Sequence, residues 1–118
     1  MQLPKSFEEL VTISEKHQLY AQLIKQLNKD LKLANVDLEF SEETLPTSLI
    51  YLLQETLFYL IDTKFVEYLN LLYVVDVSED KIKALDAHDV PQMSAEVAFL
   101  ILQREWQKVW YKNLYSKP

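Results

Sequence analysis

The sequence predicts an all-α fold, an irregular bundle of four to six helices around a long central apolar helix. None of the 118 residues is glycine, although an average usage of about 7 % would supply about eight. Glycine enters positive φ freely, so β-hairpin turns, P-loops and dinucleotide-binding loops depend on it. Helices joined by Asn, Asp and Pro turns can do without it. Apolar residues also recur every three or four positions, which is the spacing of an amphipathic helix.

Length and composition predict a single helical domain covering residues 1–118. A chain of 118 residues, 49 % of them hydrophobic, lies within the usual size range of one domain. A globule of this size buries roughly two-thirds of its unfolded surface, which is enough for a stable core. The sequence has no cysteine, which excludes disulfides, thiolate metal sites and cysteine nucleophiles.

Two amphipathic patterns occupy the first third of the chain. Ser6 and Glu9 form a capping-box pattern ahead of apolar residues at helical spacing. A second helix is predicted from near His17, because its apolar residues form a narrow seam that would lie on the core. The seam consists of Tyr20, Ile24, Leu27, Leu31 and Ala34. The turn formers of residues 35–44, NVDLEFSEET, end this helix.

Residues 47–75 are apolar nearly all round and form the predicted central helix. At 100° per residue they carry two stripes on opposite sides. The first stripe is Leu49, Leu53, Leu57 and Leu60, and the second is Tyr51, Phe58, Phe65, Leu69 and Leu72. We favour one continuous helix that is sandwiched between neighbours on both sides. A break within residues 61–64 is the alternative, because Lys64 and Glu67 would otherwise fall on the first stripe. Residues 71–77, LLYVVDV, could instead form a strand, but no clear pairing partner lies nearby.

Two further helices are predicted after this segment. Ser78 is the predicted cap of a short helix whose first turn is acidic, as the helix dipole favours. Pro91 opens a final long helix that continues through about Leu114. On this last helix Trp106 and Trp110 fall on the side that faces the core.

The final eighteen residues differ from the rest of the chain in charge. Residues 1–100 carry eight basic and seventeen acidic side chains, a net charge of −9, whereas residues 101–118 carry four basic and one acidic, a net charge of +3. The outward side of the last helix combines these cations with aromatic rings. It is the candidate interaction patch: Arg104, Lys108, Tyr111, Lys112 and Tyr115.

The residue types that carry catalysis or bind metals are poorly arranged. His17 and His88 lie at predicted helix ends among polar residues, which indicates solvated turns. Glu55, Asp62 and Glu67 lie on a mostly apolar helix, where burial can raise a carboxyl pKa and favour acid–base chemistry. Pairing with Lys25, Lys29 or Arg104 is the commoner outcome. We therefore predict a protein that is not an enzyme and uses no metal or cofactor, and we identify no small-molecule substrate.

A cytoplasmic location is expected. The N-terminal MQLPKSFEEL lacks the basic and apolar regions of a secretory signal. No run reaches the ~18 uncharged residues of a membrane helix.

Our functional hypothesis is a non-enzymatic protein-interaction module that forms a homodimer or binds another protein. Tyrosine and tryptophan are enriched at such interfaces, and a helix with two apolar stripes exposes more surface than short neighbours cover. The alternative is a weak nucleic-acid-binding or regulatory protein that uses the same patch. The acidic body repels phosphate, which makes nucleic acid the less favoured partner. The sequence leaves open whether a dimer would use the central or the C-terminal helix.

Overall fold

The computed structural model describes residues 2–116, and six α-helices lie in this part of the chain. They are α1 (Phe7–Lys16), α2 (Tyr20–Leu33), α3 (Pro46–Thr63), α4 (Phe65–Val75), α5 (Glu79–Lys83) and α6 (Val90–Tyr115). The described residues contain no β-strand. The predicted all-α bundle is therefore confirmed, and residues 71–75 belong to a helix rather than to a strand.

The long central helix of the bundle is α6. Its 26 residues span about 39 Å at 1.5 Å per residue, which is most of the 45 Å longest dimension of the molecule. It contacts α1, α2, α3 and α4, and nine of its side chains are buried. The central helix is thus the C-terminal helix and not the segment 47–75.

The favoured continuous helix over residues 47–75 is wrong, and the alternative with a break is right. Lys64 leaves the helical conformation, with φ −140° and ψ 59°, and separates α3 from α4. A straight continuation would have carried Lys64 and Glu67 onto the buried side of α3. The break turns the chain so that Lys64 and Glu67 stay exposed and pair with each other at 3.8 Å. Another set of α4 side chains is buried instead: Tyr68, Leu71, Leu72 and Val75.

Two of the predicted helix starts are capped by side chains. Ser6 Oγ accepts a hydrogen bond from the Glu9 N–H at 3.1 Å, and Asp89 Oδ1 accepts one from the Gln92 N–H at 3.1 Å. Each acceptor satisfies an N–H of the first turn that has no partner within the helix. Ser78 occupies the N-cap position of α5 as predicted, but its side chain makes no capping hydrogen bond.

Three helices end without glycine by placing another residue in the left-handed region. These residues are Gln18, Asn35 and Asp76, with φ of 58°, 59° and 71°. In each case the next residue donates its N–H to the carbonyl five positions back, as in a Schellman motif. The three bonds are Leu19 to Ser14 at 2.8 Å, Val36 to Leu31 at 2.9 Å and Val77 to Leu72 at 3.1 Å. The residue that follows each turn packs on the core, so these turns fix the direction in which each helix exits.

Replacing Gln18 with glycine is expected to raise the free energy of unfolding by about 0.5–1 kcal/mol. A β-carbon in the left-handed region costs about 1–2 kcal/mol, so glycine removes this strain from the folded protein. The greater flexibility of glycine in the unfolded chain cancels part of the gain in stability. The Gln18 side chain is exposed, so its loss removes no packing. Urea denaturation measures the change. The control is Gln18→Ala, which keeps the β-carbon, and a glycine variant no more stable than this control would contradict the prediction.

Candidate functional site

The predicted patch lies on the second half of α6, but its five residues do not form one exposed surface. Tyr111 and Tyr115 are exposed, and their rings stack with centroids 6.3 Å apart and 18° between the planes. Lys112 is also exposed. Arg104 and Lys108 instead point into contacts within the protein. The patch therefore contains one exposed aromatic pair and one exposed cation.

The other two patch cations are held by carboxylates of distant segments. Arg104 donates from Nε to the carbonyl oxygen of Asp76 at 3.1 Å and from Nη2 to its Oδ2 at 3.0 Å. Lys108 donates from Nζ to Asp30 Oδ2 at 2.7 Å, and its side chain is only 21 % exposed. Arg104 therefore ties α6 to the end of α4, and Lys108 ties α6 to α2.

The tryptophans lie where the helix projection predicts. Trp106 is fully buried, and Trp110 is partly buried against the core, with 6.0 Å between their ring centroids. His17 is exposed at the end of α1, and its ring meets Trp110 edge-on at 4.8 Å. His88 is exposed and lies 3.2 Å from an Asp86 oxygen. Within residues 2–116, the hydrogen bond found for a histidine ring is that of His88 with Asp86.

A buried polar cluster joins α2 to α6, and it consists of Asp30, Glu105 and Lys108. Asp30 and Glu105 are both buried, and Glu105 has no exposed surface. Lys108 Nζ lies 2.7 Å from Asp30 Oδ2 and 3.4 Å from Glu105 Oε1. Gln26 adds a longer bond from Nε2 to Asp30 Oδ2 at 3.4 Å. One ammonium group thus faces two carboxyl groups inside the bundle.

The two carboxyl groups of the cluster differ in protonation. Burial, reinforced by the negative charge of Asp30, raises the pKa of Glu105 to about 9. Burial also acts to raise the pKa of Asp30, but the hydrogen bond from Lys108 and the charge of its ammonium group outweigh burial, so this pKa is lowered. Neither Glu105 oxygen has a hydrogen-bond partner within residues 2–116, and a buried carboxyl group without such partners is more stable as the neutral acid.

Sequence reasoning missed Glu105, although the sequence carries a signal for it. At 100° per residue, Glu105 falls between buried positions of α6, seven residues after Ala98 and four before Val109. A carboxyl group on the core side of a helix needs a hydrogen-bond or ion-pair partner, because burying it alone is costly. The partners themselves are not readable from the sequence, because Asp30 lies 78 residues away from Lys108.

The acidic residues singled out on the apolar segment are exposed. Tyr51 donates its hydroxyl to Glu55 Oε1 at 2.7 Å, and this bond raises the pKa of Tyr51. Asp62 and Glu67 are exposed, and Glu67 pairs with Lys64. The predicted pairings of these acids with Lys25, Lys29 or Arg104 are wrong. The break at Lys64 and the packing of α3 on α6 direct the acids to solvent.

The second stripe of the apolar segment lies on the outside of the protein. Tyr51, Phe58, Phe65 and Leu69 are exposed, whereas Leu72 is buried. Across α3 and α4, eight large hydrophobic side chains are exposed. They are Tyr51, Leu52, Phe58, Tyr59, Phe65, Val66, Leu69 and Tyr73. The expectation that this stripe would be covered by neighbours within the chain is therefore wrong.

Four of these residues form one continuous strip on α4, which we call the α4 stripe: Phe65, Val66, Leu69 and Tyr73. Positions i, i+1, i+4 and i+8 fall on one side of an α-helix, and their exposed fractions are 51, 79, 47 and 84 %. The neighbouring Asn70 is uncharged and donates to the carbonyl of Ala34 at 3.5 Å. The stripe is thus an uncharged apolar surface on an acidic protein.

These features give residues 2–116 an exposed apolar surface on α3 and α4 and a buried cluster of one ammonium and two carboxyl groups. Within residues 2–116, no helix is both long enough and apolar enough to cross a membrane. No protein-family model, curated protein or solved structure matches this chain.

Proposed function

We propose that this protein is a non-enzymatic interaction module that forms a homodimer through the α4 stripe. One observation carries the proposal: of the thirteen large hydrophobic side chains that are exposed within residues 2–116, eight lie between Tyr51 and Tyr73. Monomeric proteins rarely leave apolar patches larger than a few hundred Å² open to water. The cytoplasmic location expected from the sequence stays a prediction.

The exposed area of α3 and α4 is comparable with that of a protein interface. The eight side chains, which are between 40 and 84 % exposed, present on the order of 800–1,000 Å², against about 800 Å² per partner in a standard interface. The α4 stripe supplies the uncharged part of this surface. The adjacent helix α3 adds aromatic rings with polar tips, which are frequent at interface edges.

The charge distribution indicates which surface two copies of the chain would share. Two molecules with a net charge of −6 each repel one another, so they associate most readily where neither carries a charge. The α4 stripe has that property, since Lys64 and Glu67 at its edge pair with each other.

The spacing of the stripe also suits two-fold symmetry. Phe65 and Tyr73 lie four residues before and after Leu69. When two α4 helices pack antiparallel about a two-fold axis, each Leu69 meets its counterpart and each Phe65 meets the other copy's Tyr73.

Replacing Leu69 with glutamate is expected to convert a dimer of about 28 kDa, twice the 14.0 kDa chain, into a monomer. Two carboxylates brought together at the axis would be buried without a partner, which costs several kcal/mol and weakens association about a hundredfold or more. Light scattering at several protein concentrations measures the mass. Leu114→Glu is the matched control, because Leu114 is half exposed on the C-terminal helix. A dimer dissociated by Leu114→Glu but not by Leu69→Glu would move the interface to α6, and a wild-type monomer at all concentrations would refute self-association.

Leu69→Cys tests the symmetry itself, because the natural sequence has no cysteine. Two cysteines on the axis approach within the Cβ–Cβ distance of about 3.5–4.5 Å that a disulfide requires. Mild oxidation should therefore link this variant into covalent dimers, and Leu114→Cys should remain largely unlinked.

The dimer should also be nearly insensitive to salt. Nucleic-acid binding, the alternative with less support now that Arg104 and Lys108 are paired internally, would weaken steeply as salt rises.

A further inference from the structure

A groove with a volume of about 410 Å³ lies between α2 and the C-terminal part of α6. Three lysines line it, Lys25 and Lys29 from α2 and Lys112 from α6. Polar side chains between them include the amides of Gln22 and Asn113. The lining contains no acidic residue, which sets it apart from a surface whose net charge is negative.

The lysines of this groove are incompletely neutralised. Lys25 and Lys29 are four residues apart on one helix, so their like charges repel. Lys25 lies 3.7 Å from Glu42 at the edge, whereas Lys29 and Lys112 form no ion pair within residues 2–116. An anion in the groove would relieve the repulsion on both sides.

The nearest buried carboxylate does not supply that anion. Gln26, which also lines the groove, contacts Asp30 Oδ2 at 3.4 Å. The Asp30 carboxylate is almost fully buried and is bound by Lys108 at 2.7 Å. Its charge is therefore directed to Lys108, so Asp30 does not neutralise Lys29 and Lys112, and these two groove lysines stay available to a ligand.

We propose that this groove binds a small anion that carries two or more phosphate or carboxylate groups. The volume falls in the lower part of the range of about 300–1,000 Å³ that is usual for small-molecule sites. Lysine ammonium groups bind such oxygens as point charges, and the amides of Gln22 and Asn113 can donate further hydrogen bonds. A nucleic-acid strand fits less well, because the next cations along α6, Arg104 and Lys108, are already paired. The site is independent of the α4 stripe.

Calorimetric titration with inorganic triphosphate and with citrate, at constant ionic strength, tests the proposal. The double variant Lys29→Gln/Lys112→Gln should raise the dissociation constant about tenfold or more. The control Lys32→Gln/Lys83→Gln removes the same charge from exposed positions outside the groove and should change it by less than about twofold. In NMR spectra of the wild type, the side-chain amides of Gln22 and Asn113 should shift on titration.

Each outcome has a defined meaning. Binding of triphosphate alone assigns the groove to phosphate groups, and binding of both anions extends it to carboxylates. If both double variants weakened anion binding equally, the anion would be attracted by the overall charge of the protein, and the proposed site would be overturned. Absence of binding to the folded wild type at about 10 mM of either anion, weaker than any affinity useful in a cell, would overturn it as well. Tighter binding of a single-stranded RNA of equal charge would replace the small anion with nucleic acid.

Discussion

Replacing Glu105 with glutamine is expected to raise the free energy of unfolding by about 3 kcal/mol at pH 7. In the folded protein, burial beside Asp30 raises the pKa of Glu105 to about 9, whereas the ordinary value is 4.5. At neutral pH the Glu105 carboxyl group is therefore ionised in the unfolded chain and must take up a proton when the chain folds. Glutamine has nearly the same shape, carries no charge, and can donate its amide N–H to Asp30.

The effect should depend on pH in a defined direction. Below about pH 4.5 both states of Glu105 are protonated and this residue contributes its full stability. As the pH rises from 4.5 towards 9, the unfolded chain binds fewer protons than the folded protein, so the free energy of unfolding falls by about 1.4 kcal/mol per pH unit. Above pH 9 the loss levels off. The Glu105→Gln variant should lack this decline.

Urea denaturation between pH 5 and 9 measures both quantities. The matched control is Glu39→Gln, because Glu39 is exposed in the loop between α2 and α3, and its pH profile should parallel that of the wild type. If Glu105→Gln declined with pH as steeply as the wild type, Glu105 would not be the proton-holding group.

The helices could be predicted because the signals that form them are local. The capping pattern at Ser6, the Pro91 start and the seam of α2 each depend on residues within a few turns of one another. The break at Lys64 could be identified only as an alternative. Its cause is the packing of α4 side chains against α2 and α6, which no window of the sequence contains.

The predicted interaction patch shows that helical projection identifies the side of a helix but not what covers that side. Helical projection places Arg104, Lys108, Tyr111, Lys112 and Tyr115 on one side of α6, as the structure has them. Projection treats that side as solvated, although α2 and the end of α4 reach it and provide Asp30 and Asp76. The sequence predicts surplus apolar surface on this segment but not which side is exposed, because two apolar stripes do not reveal which one the fold covers.

Replacing Lys108 with methionine is expected to lower the free energy of unfolding by about 3 kcal/mol at pH 7. Methionine keeps most of the length of the lysine side chain, so the change mainly removes the ammonium group. Loss of one partner leaves a buried charge uncompensated, which costs about 3–5 kcal/mol, and the partial exposure of Lys108 places the effect at the lower end.

The second variant Asp30→Asn separates this electrostatic effect from lost packing. In the Lys108→Met background, Asp30→Asn removes the unpaired carboxylate and should recover most of the lost stability, although the same change alone should destabilise the protein. Urea denaturation of the wild type, both single variants and the double variant gives the coupling energy directly. Additive effects would mean that the 2.7 Å contact between Lys108 and Asp30 contributes nothing to stability.

The same variants should differ in acid. Lys108 helps to lower the pKa of Asp30 below its ordinary 3.8, so Asp30 contributes stability above about pH 3.8 that is lost as the pH falls through its folded value. Without the ammonium group that folded value rises, and acid unfolding of Lys108→Met should begin at a higher pH. Asp30→Asn cannot ionise at this position, so adding Lys108→Met to it should leave the acid transition unmoved. A shift of equal size in both backgrounds would assign the role of Lys108 to its contact with Glu105 rather than with Asp30.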